Sequence, residues 1–360
     1  MEFLRCTPSV FVIGNEYEIL VNVKEKGIFS VRVGDTLYYE DNSGVLASEK
    51  TYAKIRVPQS ELDSCKQYTV IYRKAINRKA YFSELSEPQE ANFEFKPIEK
   101  TENINLYLIS DVHYNFELAK QTASFFGDDV DLFVVNGDIG EVETEDNYFE
   151  VCRFVGDISV GKIPVIFVRG NHDTRGALAE RFTDYFPADG KNTYFTFEIG
   201  ALNGVVLDCG EDKWDRHKEY GGVNVFESFR RRETEFLKKT ELDDKKITFA
   251  ISHICPVQTT LDKTDKFNIE QELYTEWNAE LARMGVKFML CGHIHKAYIV
   301  DKHSDEATID NDFPVVVGVA CFRKEDLWGS AITVNKDTVT VRFTDKDHNV
   351  RETHEINTEV

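Results

Sequence analysis

What this chain lacks narrows its class. Its seven cysteines are an odd number at scattered spacings, and no C-x-x-C pair occurs. That argues against a disulfide framework and predicts reduced thiols in a cytoplasmic protein. No N-x-S/T sequon is present, which agrees. No apolar run approaches the ~20 residues that a membrane span needs. The opening MEFLRCTPSVFVIG has neither the basic start nor the apolar core of a signal peptide. Positive charge is in deficit, with 43 Lys and Arg against 63 Asp and Glu and a net charge of −20. Such a chain repels nucleic acid and anionic membranes unless it carries a local basic patch, so neither is expected as a partner. The one basic run, Arg230-Arg231-Arg232, is followed by Glu233 and Glu235 and reads as a solvated helix face. Internal repeats and low-complexity tracts are absent.

What is present is a globular composition over 360 residues, 42% apolar and 29% charged, long enough for two domains. Residues 1–98 read as β only. Alternating stretches recur at Tyr17–Val23, Phe29–Val33, Ile55–Val57, Tyr68–Tyr72 and Phe93–Phe95, with turn signals such as Gly34-Asp35 and Asn42-Ser43-Gly44 between them. Short strands at this spacing predict an all-β sandwich. The stretch ELDSCKQYTVIY resembles the corner of fibronectin type III and immunoglobulin-like domains, in which Leu62 would cap the core and the Tyr68 hydroxyl would bond back to its own loop. A polar joint, KPIEKTEN at 96–103, follows. From 104 to 360 apolar runs (Ile104–Ile109, Leu132–Val135, Val165–Val168, Ile247–Ile251, Phe288–Leu290) alternate with helical segments (Phe116–Phe126, Phe149–Ile158, Phe226–Lys239, Glu270–Met284). Strands apolar on both faces between helices predict α/β layers. SAITVNKDTVTVRFTD predicts a closing hairpin.

The ends of the apolar runs carry the chemistry. LYLIS leads into Asp111-Val112-His113, LFVVN into Gly137-Asp138, and VIFVR into Gly170-Asn171-His172-Asp173. TFAIS leads into His253, and FMLC into Gly292-His293-Ile294-His295. One Asp after a strand is ordinarily a helix cap, and one His an ordinary hydrogen-bonded ring. Five such blocks at five strand ends have no shared structural cause, and that edge of an α/β sheet is where ligands bind. Asp, Asn and His offer oxygen and nitrogen donors, which suit Mn, Fe, Co or Zn and argue against Fe–S clusters and structural zinc. Seven side chains are too many for one ion with an open position and about right for two divalent ions sharing a carboxylate. With only two aspartates and a hydroxide against two divalent cations, the site keeps about one positive charge and attracts phosphate.

These blocks resemble the calcineurin-like metallophosphoesterase superfamily, whose pattern is D-x-H, G-D, G-N-H-D/E, a later H, and G-H-x-H. The resemblance covers residues 104 to roughly 345. It implies a four-layer αββα sandwich, here preceded by a fibronectin III/Ig-like β-sandwich as in purple acid phosphatases. It further implies that Asp111, His113 and His295 hold one metal, that Asn171, His253 and His293 hold the other, and that Asp138 bridges. An extended backbone would let His293 and His295, two residues apart, reach different ions. Purple acid phosphatases place a tyrosine ligand where this chain has Glu141, and a glycine where it has His113. A ferric–tyrosinate centre is therefore not expected.

The implied reaction is hydrolysis of a phosphomonoester or phosphodiester by a metal-bridging hydroxide attacking phosphorus in line. His172 would face the leaving group as general acid or positive donor, with Asp173 bonded to its other ring nitrogen. Arg175 is a candidate phosphate clamp, or else a partner for a surface acid. The rim stretch EDKWDRHKEYGG, 211–222, makes Trp214, His217 and Tyr220 candidate substrate contacts alongside Asn171, His172 and Arg175. The expected partner is a small phosphorylated substrate. The alternatives are a nuclease, which the acidity and the lack of a basic aromatic groove disfavour, and a non-catalytic scaffold of the same fold, which the complete ligand set disfavours.

Overall fold

A computed structural model describes residues 2–257, 267–319, 321–322 and 326–358. The N-terminal region contributes β1 (Ser9–Ile13), β2 (Glu16–Asn22), β3 (Gly27–Val33), β4 (Thr36–Tyr38), β5 (Tyr52–Pro58), the short helix α1 (Gln59–Cys65), β6 (Gln67–Asn77) and β7 (Gln89–Glu94). Next come β8 (Ile104–Ile109), α2 (Phe116–Ala123), β9 (Leu132–Asn136), α3 (Glu145–Ser159) and β10 (Val165–Val168). The third stretch is β11 (Phe195–Ile199), β12 (Leu202–Leu207), α4 (Phe226–Leu237), β13 (Ile247–Ser252), α5 (Gln271–Arg283), β14 (Phe288–Cys291), β15 (Lys296–Val300) and β16 (Val315–Val319). The chain ends on β17 (Gly329–Val334), β18 (Thr338–Thr344) and β19 (Val350–Asn357), an antiparallel run that includes the expected hairpin.

Two sheets with parallel centres face one another. One has nine strands in the order β19-β18-β17-β8-β9-β10-β1-β2-β5, and the other has six in the order β11-β12-β13-β14-β16-β15. Strand alternation sets the layers. Leu106, Leu108, Val134, Ile166 and Val168 point to the space between the sheets, where they meet Val206, Phe249, Ile251, Phe288 and Leu290. Tyr107, Ile109, Phe133 and Phe167 point outward to α2 and α3, joining Ala119, Val151 and Phe154. Val205, Ala250 and Met289 do the same toward α4 and α5, against Leu237, Trp277 and Leu281. These strands read as unbroken apolar runs because both faces are covered. Burying each such aliphatic side chain contributes about 1.5–3 kcal/mol. The result is the expected helix–sheet–sheet–helix arrangement with an all-β region at its N-terminal end.

The joint at 96–103 does not separate the sheets. Strand β1 pairs in parallel with β10, Phe11 opposite Val165. With β2 and β5, it extends the nine-stranded sheet beyond the expected boundary at residue 98. The other N-terminal sheet, β7-β6-β3-β4, packs through Val31, Val70 and Leu62 into the same core. Leu62 is fully buried, as expected of it. Tyr68 departs from the expected corner: its hydroxyl donates to the Gly161 carbonyl at 2.9 Å, in the turn between α3 and β10, and not to its own loop. The strands were readable from alternation, but the partner that joins β1 to the α/β layers lies more than 150 residues away, where local pattern carries no information.

Candidate metal centre

The five blocks converge at the carboxyl ends of β8, β9, β10, β13 and β14. Backbone bonds lock them together: Asp111 N donates to Gly137 O, His113 N to Asp138 O, and Gly292 N to His253 O, at 2.9–3.1 Å. Glycine is required where they touch. A Cβ on Gly292 would collide with the Ser110 hydroxyl and lie 2.8 Å from Asp111 Oδ2. Six residues here, Asp111, His113, Tyr114, Asp138, His293 and His295, have positive φ between 44° and 69°. The GHIH stretch is therefore a left-handed turn and not the extended segment expected of it. His293 and His295 still separate, one to each side of the site.

Ligand atoms gather in three overlapping groups: Asp111, His113 and His295; His113, Asp138 and His172; and Asp138, His253 and His293. Asp138 belongs to a group on either side. Asn171 completes the second side, with Oδ1 3.0 Å from His293 Nδ1. His113 Nε2 and His295 Nε2 lie 3.3 Å apart.

Several contacts suit a site that holds cations. The oxygen of Asn171 faces Asp138 Oδ2, His253 Nε2 and His293 Nδ1 within 3.0–3.3 Å, while its nitrogen faces Arg175 Nη2 at 3.1 Å. Reversing the amide would satisfy all of these as hydrogen bonds; keeping the oxygen inward satisfies a positive ion. Asp111 Oδ1 is buried with no hydrogen bond of good geometry, and His295 Nε2 stands 3.0 Å from it. His253 Nδ1 sits 2.7 Å from Asn136 O, which holds the proton on that nitrogen and leaves Nε2 facing Asp138 Oδ2 at 3.2 Å. Only a proton or a metal ion can lie between those two lone pairs. Burial opposes a charge on His253, but Asp138 and Asp111 outweigh it and push its pKa up to about 10. His293, half-buried beside it, is pushed by burial down to about 4 and stays neutral. The donor set of nitrogen and carboxylate oxygen, its orphaned acceptors and its fixed tautomer fit two divalent ions.

The flanking residues sort differently from expectation. Asp173 is buried, but its Oδ2 accepts the backbone N–H of Gly170 (2.7 Å) and Asp138 (3.0 Å), so it braces the loop and does not touch the His172 ring. Burial and the neighbouring Asp138 raise its pKa to about 7. Arg175 is the ring's neighbour instead: Nη1 lies 3.4 Å from His172 Nε2. Arg175 also pairs in bidentate fashion with Glu211 at 2.6 and 2.8 Å, and this acid is fully buried, not on the surface. Tyr220 is buried too, its hydroxyl donating to Glu211 and Asp212 at 3.1 Å, which removes it from the substrate contacts. His217 remains half-exposed on the rim with Trp214. Arg230 is wholly buried, contrary to the solvated face expected of the basic run. It donates to the carbonyls of Cys209 and Glu211 and so pins the rim loop.

Sequence reasoning passed over Glu211 and Asp212. Asp212 Oδ2 lies 3.9 Å from His293 Nε2, behind the ring of that ligand. Both acids follow the apolar run of β12, so the strand-end rule that found the other blocks would have found them.

A family model described as calcineurin-like phosphoesterase matches residues 104–297. No curated protein matches the chain. Among solved structures, a purple acid phosphatase from yellow lupin (Lupinus luteus) seeds is similar at TM-score 0.65 and 10% identity, over 97% of this chain and 74% of that one. The structure of PhoD is similar at TM-score 0.61 and 9% identity, over 99% of this chain and 91% of that one. At such identities the likeness is one of fold, and it takes in the N-terminal β region as well as the α/β layers.

Proposed function

The chain belongs to the calcineurin-like phosphoesterase family, and we propose that it hydrolyses a small phosphomonoester or phosphodiester with two divalent ions, manganese among those that serve. The observation that carries this is the pair of ligand groups meeting at Asp138. In this reading Asp111, His113 and His295 hold one ion, Asn171, His253 and His293 the other, and Asp138 both. Bound there, the ions supply Lewis acidity toward phosphoryl oxygens and a water of lowered pKa.

The chain's own groups do the rest. Asp111 Oδ2 accepts Ser110 Oγ–H at 2.6 Å and His293 N–H at 3.0 Å, which fixes the carboxylate. Arg175 donates to His172 Nε2, so the ring carries its proton on Nδ1. That N–H has no partner of its own, and the nearest acid, Glu141 Oε1, is 3.9 Å away. The ring edge that carries Nε2, 3.9 Å from Asp138 Oδ2 and with Arg175 beside it, faces the ligand groups and would meet a phosphoryl or leaving-group oxygen. Glu211 holds Arg175 in place, and Asp173 holds the Gly170 and Asp138 amides under the site. Asp173 thus supports the reaction as a positioning residue.

The test is elemental analysis of the purified protein, with hydrolysis of p-nitrophenyl phosphate and bis-p-nitrophenyl phosphate across several metals. Two bound ions, restoration of activity by manganese, and a loss of about a hundredfold or more in Asp138→Asn are expected. An Asp138→Asn protein with ordinary turnover rules out the shared-carboxylate assignment.

A further inference from the structure

One cavity adjoins the ligand groups without belonging to them. About 380 Å³ is bounded by Lys213, Trp214, Arg216, His217 and Lys218, all from the rim loop. Two of these walls connect to histidines of the centre, one through a single side chain and the other through two. Lys213 Nζ is 3.0 Å from Asp212 Oδ1, and the other oxygen of Asp212 is the one behind His293. His217 Nδ1 is 3.7 Å from Glu219 Oε2, and Glu219 Oε1 is 4.0 Å from the Arg175 nitrogen that faces His172. The cavity therefore lies on the Arg175 and Asp212 side of His172 and His293.

The loop that forms it is fixed on both flanks. Buried Glu211 and Tyr220 close its base, and Arg230 grips the carbonyls at its start. Asp215 accepts the N–H groups of Phe226 (2.8 Å) and Glu227 (3.0 Å), tying the middle of the loop to the first turn of α4. A cavity so held is largely formed before any ligand arrives.

Its chemistry is unusual for this chain. Lys213 is neutralised by Asp212 and by Glu219, the latter at 3.3 Å. Arg216 and Lys218 are exposed and form no ion pair among the described residues. The guanidinium of Arg216 lies over the Trp214 ring, 5.1 Å from its centre. Within an acidic protein and an acidic loop, the cavity walls thus carry two unpaired cations next to a flat indole. An indole face takes a planar ring, and unpaired guanidinium and ammonium groups take an anion.

On the premise that the centre is a phosphoesterase, the geometry points to this cavity as the seat of the leaving group and to a nucleotide as the substrate. The base lies against Trp214, and a phosphate beyond the scissile one is held by Arg216 and Lys218. Such a ligand combines the flat ring and the second negative charge that the walls call for. A small ester such as glycerol 2-phosphate has neither, and it gains nothing here.

The experiment uses the metal-loaded full chain and adenosine 5′-(α,β-methylene)diphosphate, which resists cleavage between its phosphates. Binding is followed by equilibrium dialysis and by tryptophan fluorescence. The expected result is a Kd raised about tenfold in Arg216→Ala and in Trp214→Ala, with quenching lost in the latter. In turnover, Arg216→Ala should lower the ratio of kcat/KM for adenosine 3′,5′-bisphosphate, a nucleotide monoester with a second phosphate, to that for glycerol 2-phosphate about tenfold. Equal Kd values in wild type and both variants overturn the nucleotide assignment, even if esters are hydrolysed. If no ester is hydrolysed yet binding still depends on Arg216, the phosphoesterase reading fails and the cavity assignment stands.

Discussion

Gly292→Ala separates a centre built for two ions from a chance gathering of histidines. The added Cβ would land on the Ser110 hydroxyl, 2.8 Å from Asp111 Oδ2 and 3.0 Å from Ser110 Cβ, where ordinary contact begins at 3.4 Å. Ser110 and Asp111 must together retreat by about 1 Å, and neither is free to do so. Ser110 Oγ is confined between Asp111 Oδ2 at 2.6 Å and Asn136 O at 2.7 Å, which share its one proton, and Asp111 Oδ2 is held by the His293 amide. Forcing that much into a packed site costs about 1–3 kcal/mol of stability. The larger effect falls on function. In the proposed two-ion reading Asp111 is a metal-side carboxylate, and displacing one ligand of a set weakens metal binding about 10–100-fold. An error of about 1 Å in the reacting geometry costs about a hundredfold in rate. Manganese titration by calorimetry, with p-nitrophenyl phosphate kinetics at saturating metal, reads the two losses separately. The double variant Ser110→Ala/Gly292→Ala removes the worst collision and should recover part of the metal affinity, so the two changes will not be additive. If Gly292→Ala binds two equivalents with wild-type affinity and turns over normally, the close approach of GHIH to Asp111 is not what the structure says it is.

Three further outcomes follow from other parts of the molecule. Glu211→Gln keeps one acceptor but leaves the Arg175 charge without its partner; with the Arg175 side chain 30% exposed to water, about 2–3 kcal/mol of stability should be lost in a thermal melt. Because Arg175 touches His172, kcat should fall more than KM rises, and a fall in neither would detach Arg175 from the reaction. Glu233 is fully buried, and burial first, then the charge of Asp208, raises its pKa well above 4.5. The folded protein keeps a proton that the unfolded chain releases, so this group's stability is complete below about pH 4.5 and drains away as pH rises toward the folded value. Glu233→Gln should therefore flatten the fall of Tm above pH 4.5, and a curve parallel to wild type would place the proton elsewhere. Removing residues 1–98 strips β1 from β10 and bares an apolar central strand edge, so the fragment 99–360 should aggregate; a soluble, active fragment would make the N-terminal region a separate module.

The residues that the structure gathers into candidate ligand groups were legible because their signal is chemical and repeated. Asp, Asn and His at the ends of five apolar runs can be counted without any structure, and the layers followed from the alternation of those runs with helices. What could not be read depended on distant partners. Nothing in SVFVI tells that Phe11 will lie opposite Val165, and nothing in YTVIY tells that the Tyr68 hydroxyl will find Gly161. Asp173 looked like a partner for His172 because the two are adjacent in sequence. Adjacent residues in a turn point apart, however, and its carboxylate reaches back to the Gly170 amide instead. Arg230 looked solvated among three arginines, but one arginine in a run on a helix faces inward by the 3.6-residue period, and here two backbone carbonyls waited for it.

The misreading of GHIH as extended bears on how the centre is maintained. Left-handed φ at Asp111, His113, Tyr114, Asp138, His293 and His295 costs each residue about 1–2 kcal/mol, so together the strain is comparable to the whole net stability of an ordinary domain. Strain of that size persists only where surroundings over-determine it. Here the amides of Asp111, His113 and Tyr114 bond to Gly137, Asp138 and Ile139, and the Gly292 amide bonds to His253. Each loop is thereby held by a neighbour rather than by its own preference. The two parallel sheets bring those neighbours to one edge, and the N-terminal strands widen the sheet that carries three of them. This gives the all-β region a physical role apart from any ligand of its own: it buttresses the sheet from which Asp111, Asp138 and Asn171 project. The same logic explains why a short polar turn such as CGHIHK carries so much of the chemistry. Its two histidines diverge because left-handed residues on either side of Ile294 rotate them apart, one toward Asn171 and one toward Asp111, and the glycine before them lets that turn sit directly on the first carboxylate.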